Sequence, residues 1–448
     1  MDWRGGRSLI YPLVSMDVTR KRLTNMVLGS SGAPESARQH ETSGGHVINS
    51  ISASERQSGT RSVLRFSALG AAIIGVFLSL GGGRAEALDD VKPGQQREGP
   101  GTIIRVWPLE GGGPGNSDAF RFLYRSTGPQ GEPIPVSGAI FIPSGPAPEG
   151  GRNVIAWAHP TSGVAPECAP SLYPHRAGLI WNLEDMLNQG YVVVATDYPG
   201  LGTDGVHPYL IGESAGRAVL DSVRATQHFS NSGASNRFAV WGHSEGGHAA
   251  LFTGELAARY APELKLVGVA AAAPATYLVD LFEDDAATEQ DLIAMALLSW
   301  TRLLNVAPAT IVEPAAMAAF NSTARGCLTS IAQFEALENN VKPLQTGRFL
   351  KIDPSKTEPW RGIMVHNSPG KARAGAPVFI AQGTADTTVD PQVTKRFAKA
   401  LCAKGERVTF VELPGVSHIF VARDSAPTAI KWINDRFKGA PSPSSCQR

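Results

Sequence analysis

The sequence predicts an α/β fold, in which helices cover both faces of a mostly parallel central sheet and one mainly helical segment is inserted. Three observations support this prediction. Short apolar runs typical of buried strands alternate with helical patterns from Asn153 onward. A stretch of about 100 residues between two of those strands, from Pro274 to Ala376, has helical spacing and is too long for a plain loop. A glycine-flanked serine follows another strand and opens a helix.

The composition fits such a fold and excludes several other classes of protein. The 448 residues are 42% hydrophobic and 18% charged, and include 48 glycines and 32 prolines. These proportions exclude a coiled coil, a charge-driven disordered chain and a collagen-like repeat. Because 41 Lys and Arg residues are balanced by 40 Asp and Glu residues, no surplus of positive charge is left for phosphates. The balance therefore argues against a nucleic-acid partner.

Residues 1–87 have the features of a leader. A short basic region precedes an apolar run at residues 68–80, and small residues follow up to Ala87. This order is typical of a secretory signal peptide, and the run is too short to span a membrane. We expect cleavage after Ala87 and a secreted or periplasmic protein, with a buried helix or an uncleaved anchor as the alternative. Met26 and Val63 are candidate translation starts, since signal peptides normally begin near their basic region.

After the leader, strands and helices follow in a regular order. Three short strands separated by turns form an antiparallel lead-in, and six buried runs then alternate with helices. This order predicts a catalytic domain at residues 88–274 and 375–440, interrupted by a helical cap at residues 275–374. The predicted strands are Gly101–Trp107, Ala119–Arg125, Val136–Ile142, Val154–Ala158, Tyr191–Thr196, Phe238–Trp241, Leu266–Ala272, Val378–Ala381 and Val408–Leu413, and two of the helices are Ala215–Phe229 and His248–Tyr260.

The predicted cap contains an apolar helical face. Ile293, Leu297, Trp300 and Leu304 recur at helical spacing. This face would either pack on the core or contact a lipid interface transiently. The sequence leaves both interpretations open, together with the oligomeric state.

The G-x-S-x-G motif occurs twice, around Ser214 and around Ser244. The second copy follows the strand at residues 237–241 and opens a helix, which is the context that exposes a nucleophilic serine on a sharp turn. The first copy follows a loop and leads directly into a helix, so we expect Ser214 to cap or begin that helix. Ser244 is therefore the predicted nucleophile.

A nucleophilic serine needs a base, and the base needs a carboxylate that orients it. In this architecture the chain order is Ser, then Asp or Glu, then His. Asp386 closely follows the strand Val378–Ala381, and His418 lies in a loop just after the strand Val408–Leu413. We predict Asp386 and His418 as the other two catalytic residues. Asp390, which precedes a proline, is the rival carboxylate.

The oxyanion that forms during acyl transfer needs hydrogen-bond donors. One predicted donor is the backbone N–H of Glu245, the residue after the nucleophile. The other is predicted in the loop after Val154–Ala158, which reads His-Pro-Thr-Ser-Gly. Because Pro160 has no N–H, Thr161 is the first candidate and Ser162 the second, with an ordinary turn as the alternative.

Four cysteines follow the leader, namely Cys168, Cys327, Cys402 and Cys446. An even number in an exported chain predicts two disulfides, for which three connectivities exist. The chain has no C-x-x-C spacing, which argues against a zinc site and against thioredoxin-like chemistry.

Several stretches are similar to a known family: Ala165–Ser171, Ala195–Gly202, Ala218–Ala225, the motif at Ser244, Gly383–Asp386 and the loop at His418. In these stretches the chain resembles the secretory lipase family, of the Candida antarctica lipase A type, in the α/β-hydrolase superfamily. The resemblance implies an α/β-hydrolase fold and a serine carboxylester hydrolase with a helical cap over an apolar acyl site. It implies no metal or organic cofactor, and it implies the disulfides Cys168–Cys327 and Cys402–Cys446. The chain departs from the family's fungal lipases at the oxyanion loop, where they carry an acid and it begins His-Pro-Thr.

Together, the predicted triad and the resemblance lead us to expect a secreted lipase or esterase. It would cleave small-molecule or lipid esters of apolar acids through an acyl-enzyme on Ser244. A serine peptidase or amidase, or a short-chain carbohydrate esterase, remains an alternative because a triad does not decide the substrate. A binding protein that kept the fold without catalysis is a further alternative, although such proteins usually lose a member of the triad. Acyl-chain length and alcohol specificity stay open.

Overall fold

A computed structural model of the chain describes residues 99–109, 112–174, 176–229, 231–284 and 289–446. The predicted leader, with its apolar run at residues 68–80 and its cleavage site after Ala87, lies outside these residues. Within them, none of the helices combines the length and the apolar character that crossing a membrane requires.

The described residues form nine strands, at the nine predicted places. In chain order these are β1 (Ile103–Pro108), β2 (Asp118–Thr127), β3 (Pro133–Ile142), β4 (Arg152–Ala158), β5 (Val192–Thr196), β6 (Ala234–His243), β7 (Lys265–Ala272), β8 (Val378–Gly383) and β9 (Val408–Leu413). Strand β6 is longer than predicted at both ends. Ala234 and Arg237 lie outside the predicted run, but Ala234 pairs with β4 and Arg237 with β7.

The nine strands make one sheet in the order β1-β2-β3-β5-β4-β6-β7-β8-β9. Strands β1, β2 and β3 pair antiparallel, and β3 also pairs antiparallel with β5. From β5 to β9 every pair is parallel. This confirms the predicted α/β fold with its antiparallel lead-in. Since the parallel strands run in one direction, their carboxyl ends lie along one edge, where ligands bind in such sheets.

Ten α-helices connect or flank the strands in the described residues. They are α1 (Leu183–Asn188), α2 (Gly212–Thr226), α3 (Glu245–Tyr260), α4 (Leu278–Asp284), α5 (Gln290–Leu303), α6 (Met317–Ala324), α7 (Ile331–Gln345), α8 (Trp360–His366), α9 (Pro391–Ala403) and α10 (His418–Phe437). Helices α2 and α3 each begin three residues earlier than predicted. The glycines at their first turns weaken the helical signal in the sequence without preventing the helix.

Two apolar clusters lie on opposite faces of the sheet, because the side chains of a strand alternate between its faces. In β4, Val154 and Ala156 belong to the cluster that includes residues of α2, α3 and α9. Ile155 and Trp157 belong to the other cluster, with residues of α1 and α10. Helices therefore cover both faces, as predicted.

The segment between β7 and β8 contains helices α4 to α8 and supplies most members of a third apolar cluster. Ile293, Leu297 and Trp300 of α5 are all buried in that cluster, whereas Leu304 follows the helix and is exposed. The Trp300 indole N–H donates to the carbonyl oxygen of Tyr209, 2.9 Å away. The structure therefore supports the interpretation in which this apolar face packs in the protein interior. The function of the segment as a cap stays a prediction.

Two disulfides join distant parts of the chain, in the pairs that the resemblance implies. The bond Cys168–Cys327 spans a sequence separation of 159 and ties the loop after β4 to the segment between α6 and α7. The bond Cys402–Cys446 spans a separation of 44 and ties the C-terminal tail to α9. Beside this second bond, the Ser445 N–H donates to the carbonyl oxygen of Val408 in β9 at 2.7 Å. The Ser445 hydroxyl oxygen accepts from the N–H of Phe410 at 2.9 Å.

Candidate active site

Ser244 lies on the sharp turn between β6 and α3. Its backbone has φ 56° and ψ −117°, a conformation that non-glycine residues rarely adopt and that is held by its surroundings. The Ser244 N–H donates to the carbonyl oxygen of Ala272 at 2.9 Å. A Cβ atom at Gly242 would collide with the carbonyl oxygen of Gly246, and one at Gly246 with that of Ala158. The motif's glycines are therefore required because the backbones pack too closely for any side chain.

The structure brings Ser244, Asp386 and His418 together. His418 Nε2 lies 2.9 Å from Ser244 Oγ, and His418 Nδ1 lies 2.9 Å from Asp386 Oδ2. Because a carboxylate can only accept, Nδ1 carries the proton and Nε2 is free to accept from the Ser244 hydroxyl. This is the tautomer in which an imidazole can remove the proton of a serine. The catalytic roles of the three residues stay a prediction.

Asp386 is held as an ionised carboxylate by four donors. Its Oδ1 accepts from the N–H groups of Thr388 and Val389, at 3.0 and 2.8 Å. Its Oδ2 accepts from the Gln382 amide at 2.8 Å, besides the bond from His418. Burial by itself would raise the pKa of Asp386, but these hydrogen bonds and the charge of His418 outweigh it and hold the pKa below its ordinary value.

The rival carboxylate, Asp390, has a different function in the structure. It is the N-cap of α9, where its side chain accepts from the Gln392 N–H at 2.7 Å, and Pro391 occupies the first helical position. This is the helix start that the Asp-Pro pair predicts.

Two further histidines beside the nucleophile are buried and neutral. His243 Nε2 lies 3.0 Å from the carbonyl oxygen of His418, and His248 Nε2 lies 2.8 Å from that of Asn367. Burial lowers the pKa of His243 to about 3 and that of His248 to about 4. Each therefore donates one hydrogen bond to a carbonyl and carries no charge near neutral pH.

The other G-x-S-x-G motif lies inside α2, and the prediction for its serine was only partly right. Ser214 is in the first turn of α2, but Ile211 is the N-cap and the Ser214 hydroxyl caps nothing. That hydroxyl is buried and has no hydrogen-bond partner among the described residues. Side chains at the two glycines would collide with α3, at Phe252 for Gly212 and at Leu256 for Gly216. The glycines of this copy of the motif are therefore explained by the close packing of α2 on α3.

The two predicted oxyanion donors lie in neighbouring parts of the site. Glu245 is the first residue of α3, so its N–H has no partner within the helix. The loop after β4 runs beside this helix start, since a Cβ at Gly246 would also approach the His159 carbonyl oxygen. Within that loop the Thr161 hydroxyl lies 2.8 Å from the Tyr209 hydroxyl, while the Ser162 hydroxyl is buried without a described partner. The choice of Thr161 over Ser162 stays a prediction.

A cavity of about 40 Å³ opens beside Ser244 and is lined mainly by apolar side chains. Helices α4 and α5, from the segment between β7 and β8, supply much of its wall. Such a small apolar space fits the methyl or methylene end of an acyl group better than a charged or strongly polar one. The lining includes Leu278, Leu281, Phe282, Leu292, Ile293, Val389, Tyr209 and Glu245.

Sequence reasoning did not find two side chains that contact the predicted site residues. One is Gln382, whose amide binds Asp386. The other is His207, whose Nε2 lies 3.1 Å from Glu245 Oε1. Gln382 could have been noticed as the only polar residue at the end of an apolar strand. His207 lies in a loop without hydrophobic periodicity, 38 residues before Glu245. The sequence therefore carries no signal for this contact.

Known proteins are similar to this chain in sequence and in fold. A family model described as "Secretory lipase" matches residues 180–445. The chain is 25% identical over 366 residues to Lipase A of Moesziomyces aphidis, covering 76% of this chain and 77% of that protein. It is 26% identical over 370 residues to a Mycobacterium tuberculosis (strain CDC 1551 / Oshkosh) protein named "Probable inactive lipase MT1628", covering 78% and 81%. The structure of Candida antarctica lipase A in its closed state superposes with a TM-score of 0.63 at 20% identity, covering 78% and 84%.

Proposed function

The chain belongs to the secretory lipase family of α/β-hydrolases, and on this premise we propose that it is a secreted serine carboxylester hydrolase acting through an acyl-enzyme on Ser244. The observation that carries the proposal is the continuous hydrogen-bond chain from Ser244 through His418 to Asp386, at 2.9 Å for each contact. A hydroxyl, a neutral imidazole and a buried carboxylate in this order are what acyl transfer to serine requires.

In the first half of the reaction, Ser244 Oγ attacks the ester carbonyl carbon. Its proton passes to His418 Nε2, and Asp386 stabilises the imidazolium that forms. The negative charge on the carbonyl oxygen is held by the N–H groups of Glu245 and Thr161. His418 then gives its proton to the alcohol oxygen, the carbon–oxygen bond breaks, and the acyl group stays on Ser244.

In the second half, water takes the place of the alcohol. His418 removes a proton from the water as it attacks the acyl carbonyl, and returns that proton to Ser244 Oγ when the acyl–serine bond breaks. The products are a carboxylic acid and the free enzyme. Every proton is transferred through His418 Nε2, so the reaction needs no group beyond those of the chain and water.

The apolar lining beside Ser244 supports an acyl group without charges as the substrate's acid part. We propose that α4 and α5 form a cap over this site, because Leu278, Phe282 and Ile293 line the cavity next to the nucleophile. Two disulfides support an extracellular location, since such bonds persist mainly in oxidising compartments.

A second candidate function is binding without catalysis, which the relative with "inactive" in its name makes worth testing. A fluorophosphonate probe separates the two, because it reacts with an activated serine and not with an ordinary hydroxyl. We expect the probe to label Ser244 in the wild type. Absence of labelling in the folded protein would favour the binding protein.

Two serine variants test the nucleophile itself. Replacing Ser244 by Ala should lower the hydrolysis of a p-nitrophenyl ester by about 10⁶-fold. Ser214→Ala is the matched control, since it removes the serine of the same motif inside a helix, and we expect turnover within about threefold of the wild type. Near-normal turnover by S244A, or its loss in S214A, would contradict the proposal.

The substrate class needs a separate series. Rates on p-nitrophenyl esters of increasing acyl length, with and without an emulsified triglyceride, distinguish a lipase from a short-chain esterase. An aminoacyl amide tests the peptidase alternative. We expect cleavage of esters with apolar acyl groups and none of the amide.

A further inference from the structure

The side chain of Glu245 forms a buried pair with His207, directly beside the nucleophile in the chain. His207 Nε2 lies 3.1 Å from Glu245 Oε1, and each side chain is only 2% exposed. On its other side, His207 Nδ1 lies 3.0 Å from the carbonyl oxygen of Pro199. Glu245 Oε2 is also buried, and no residue in the described part of the chain donates a hydrogen bond to it. Water is therefore excluded from most of the pair.

These contacts determine how many protons the pair holds. A carbonyl oxygen can only accept, so His207 Nδ1 carries a proton and donates it to Pro199. If the imidazole were neutral and Glu245 ionised, Nε2 and Oε1 would be two acceptors facing each other at 3.1 Å in a buried place. That arrangement is repulsive, so one further proton lies between the two atoms.

With that proton the pair has no net charge. It is either an imidazolium beside a carboxylate or a neutral imidazole beside a carboxylic acid. A buried carboxylate oxygen without a donor is costly, so the unpartnered Oε2 favours the neutral form, with the proton on Glu245.

We propose that His207 is a positioning residue that keeps a proton on Glu245 and so prevents a negative charge from forming beside the oxyanion. The inference rests on the proposed function, in which the backbone N–H of the same Glu245 binds that oxyanion. Glu245 and Ser244 line the same cavity, and two negative charges in one buried site repel each other strongly. Removing the charge of Glu245 avoids this repulsion, and His207 is the group in contact with its carboxyl.

Other titratable groups face the pair from three elements. Tyr198 and Tyr209, on the loop that carries His207, each have their ring 6.0 Å from the imidazole. His248 lies near Glu245 within α3, and the ring of His159, from the loop after β4, lies 4.4 Å from that of Tyr198 in a tilted arrangement. Burial raises the pKa of Tyr198 well above its ordinary value and lowers that of His248 to about 4. Tyr198 donates its hydroxyl proton to the His159 carbonyl oxygen at 3.1 Å, and His248 Nε2 donates to that of Asn367 at 2.8 Å, so neither supplies the proton of the pair.

The test compares the same His207 substitution in two backgrounds. In His207→Gln the new amide can donate to the Glu245 carboxylate but cannot supply a titrating proton. We expect kcat to fall at least about tenfold, because no imidazole then keeps the carboxyl neutral. In the Glu245→Gln background residue 245 cannot ionise, so adding His207→Gln should cost less than about threefold.

A second substitution keeps the test decisive if H207Q does not fold. In Glu245→Gln the new amide donates to His207 Nε2, which suits the neutral imidazole. His207→Asn, measured in the same two backgrounds, should likewise lower kcat at least about tenfold in the wild type and less than about threefold in E245Q.

Two results would overturn the proposal: an equal cost of H207Q in both backgrounds, or an equal cost of H207N in both. Fluorophosphonate labelling of Ser244 is measured on the same samples. If the wild type is labelled and either result appears, only the function of His207 is wrong. If the folded wild type is not labelled, the proposed function fails first, and the present proposal fails with it.

Discussion

His243 Nε2 donates its proton to the backbone carbonyl oxygen of His418 across 3.0 Å, and the two rings lie 5.0 Å apart. The residue before the nucleophile thereby holds the backbone of the predicted base, 175 positions further along the chain. Burial, together with the neighbouring His418, lowers the pKa of His243 to about 3. His243 is therefore uncharged near neutral pH, and its one N–H proton is used in this hydrogen bond.

We expect His243→Phe to lower kcat by about ten- to a hundredfold with little change in KM, because it frees the backbone that orients His418. His248→Phe is the matched control, since it also removes one buried hydrogen bond, to Asn367, but none to His418. It should destabilise the protein by about 1–3 kcal/mol, as H243F does, and keep kcat within about threefold of the wild type. Steady-state kinetics and thermal unfolding measure both effects, and equal losses of kcat would contradict the prediction.

The assignment of Asp386 over Asp390 predicts very different losses for the same substitution. Asp386→Asn should lower kcat by about 10⁴-fold, because an amide cannot hold the Nδ1–H tautomer of His418. Asp390→Asn should change kcat by less than about threefold, because asparagine also caps helices well. The two variants are compared on one p-nitrophenyl ester. A large loss of kcat in D390N would instead indicate that Asp390 is the catalytic carboxylate.

The lowered pKa of Asp386 predicts a stability difference at acid pH. A carboxyl whose pKa is lower in the folded than in the unfolded state stabilises the fold above the unfolded value of about 3.9. That stabilisation is lost as the pH falls through the lower, folded pKa. The free energy of unfolding in urea should therefore drop more in the wild type than in Asp386→Asn between pH 7 and about pH 3. An equal drop in both proteins would show that Asp386 is not the group responsible.

The two disulfides should differ in the stability that they contribute. Loop-closure entropy gives up to about 5 kcal/mol for the separation of 159 in Cys168–Cys327 and up to about 4 kcal/mol for the separation of 44 in Cys402–Cys446. We expect the double variant Cys168→Ser with Cys327→Ser to lose more stability than Cys402→Ser with Cys446→Ser. It should also lose more activity, because its bond anchors the loop that carries Thr161. Denaturation midpoints and ester hydrolysis measure both losses, and the reverse order in either would contradict this view.

The sequence predicted the sheet well because its strands are short apolar runs with clear ends. Strand β9, at Val408–Leu413, agrees at both ends, and the antiparallel lead-in was recognised by its turns. The prediction was weaker where a strand or helix extends into polar or glycine-rich residues. Strand β6 continues through Ala234–Arg237 because neighbouring strands pair with it, and pairing partners are not visible in a local window.

The three candidate catalytic residues could be predicted because each follows a strand and their order along the chain is restricted. The supporting contacts could not. His207 meets Glu245 only after the loop beyond β5 folds back over the start of α3, and such a contact depends on the path of a loop. Ser214 is the opposite case. The residues around it match the nucleophile motif, but Gly212 and Gly216 are there because they pack closely on α3.

The C-terminal tail has a consequence for how the sheet meets other molecules. Strand β9 is at the edge of the sheet, and an uncovered edge offers unpaired N–H and C=O groups to any extended chain. Here Ser445 occupies the outward groups of Val408 and Phe410, and the bond from Cys446 to Cys402 fastens it there. The tail therefore leaves fewer unpaired backbone groups at this edge for pairing with a strand of another chain. At the extracellular location that we propose, where cellular chaperones are absent, such protection would help the protein to stay dispersed.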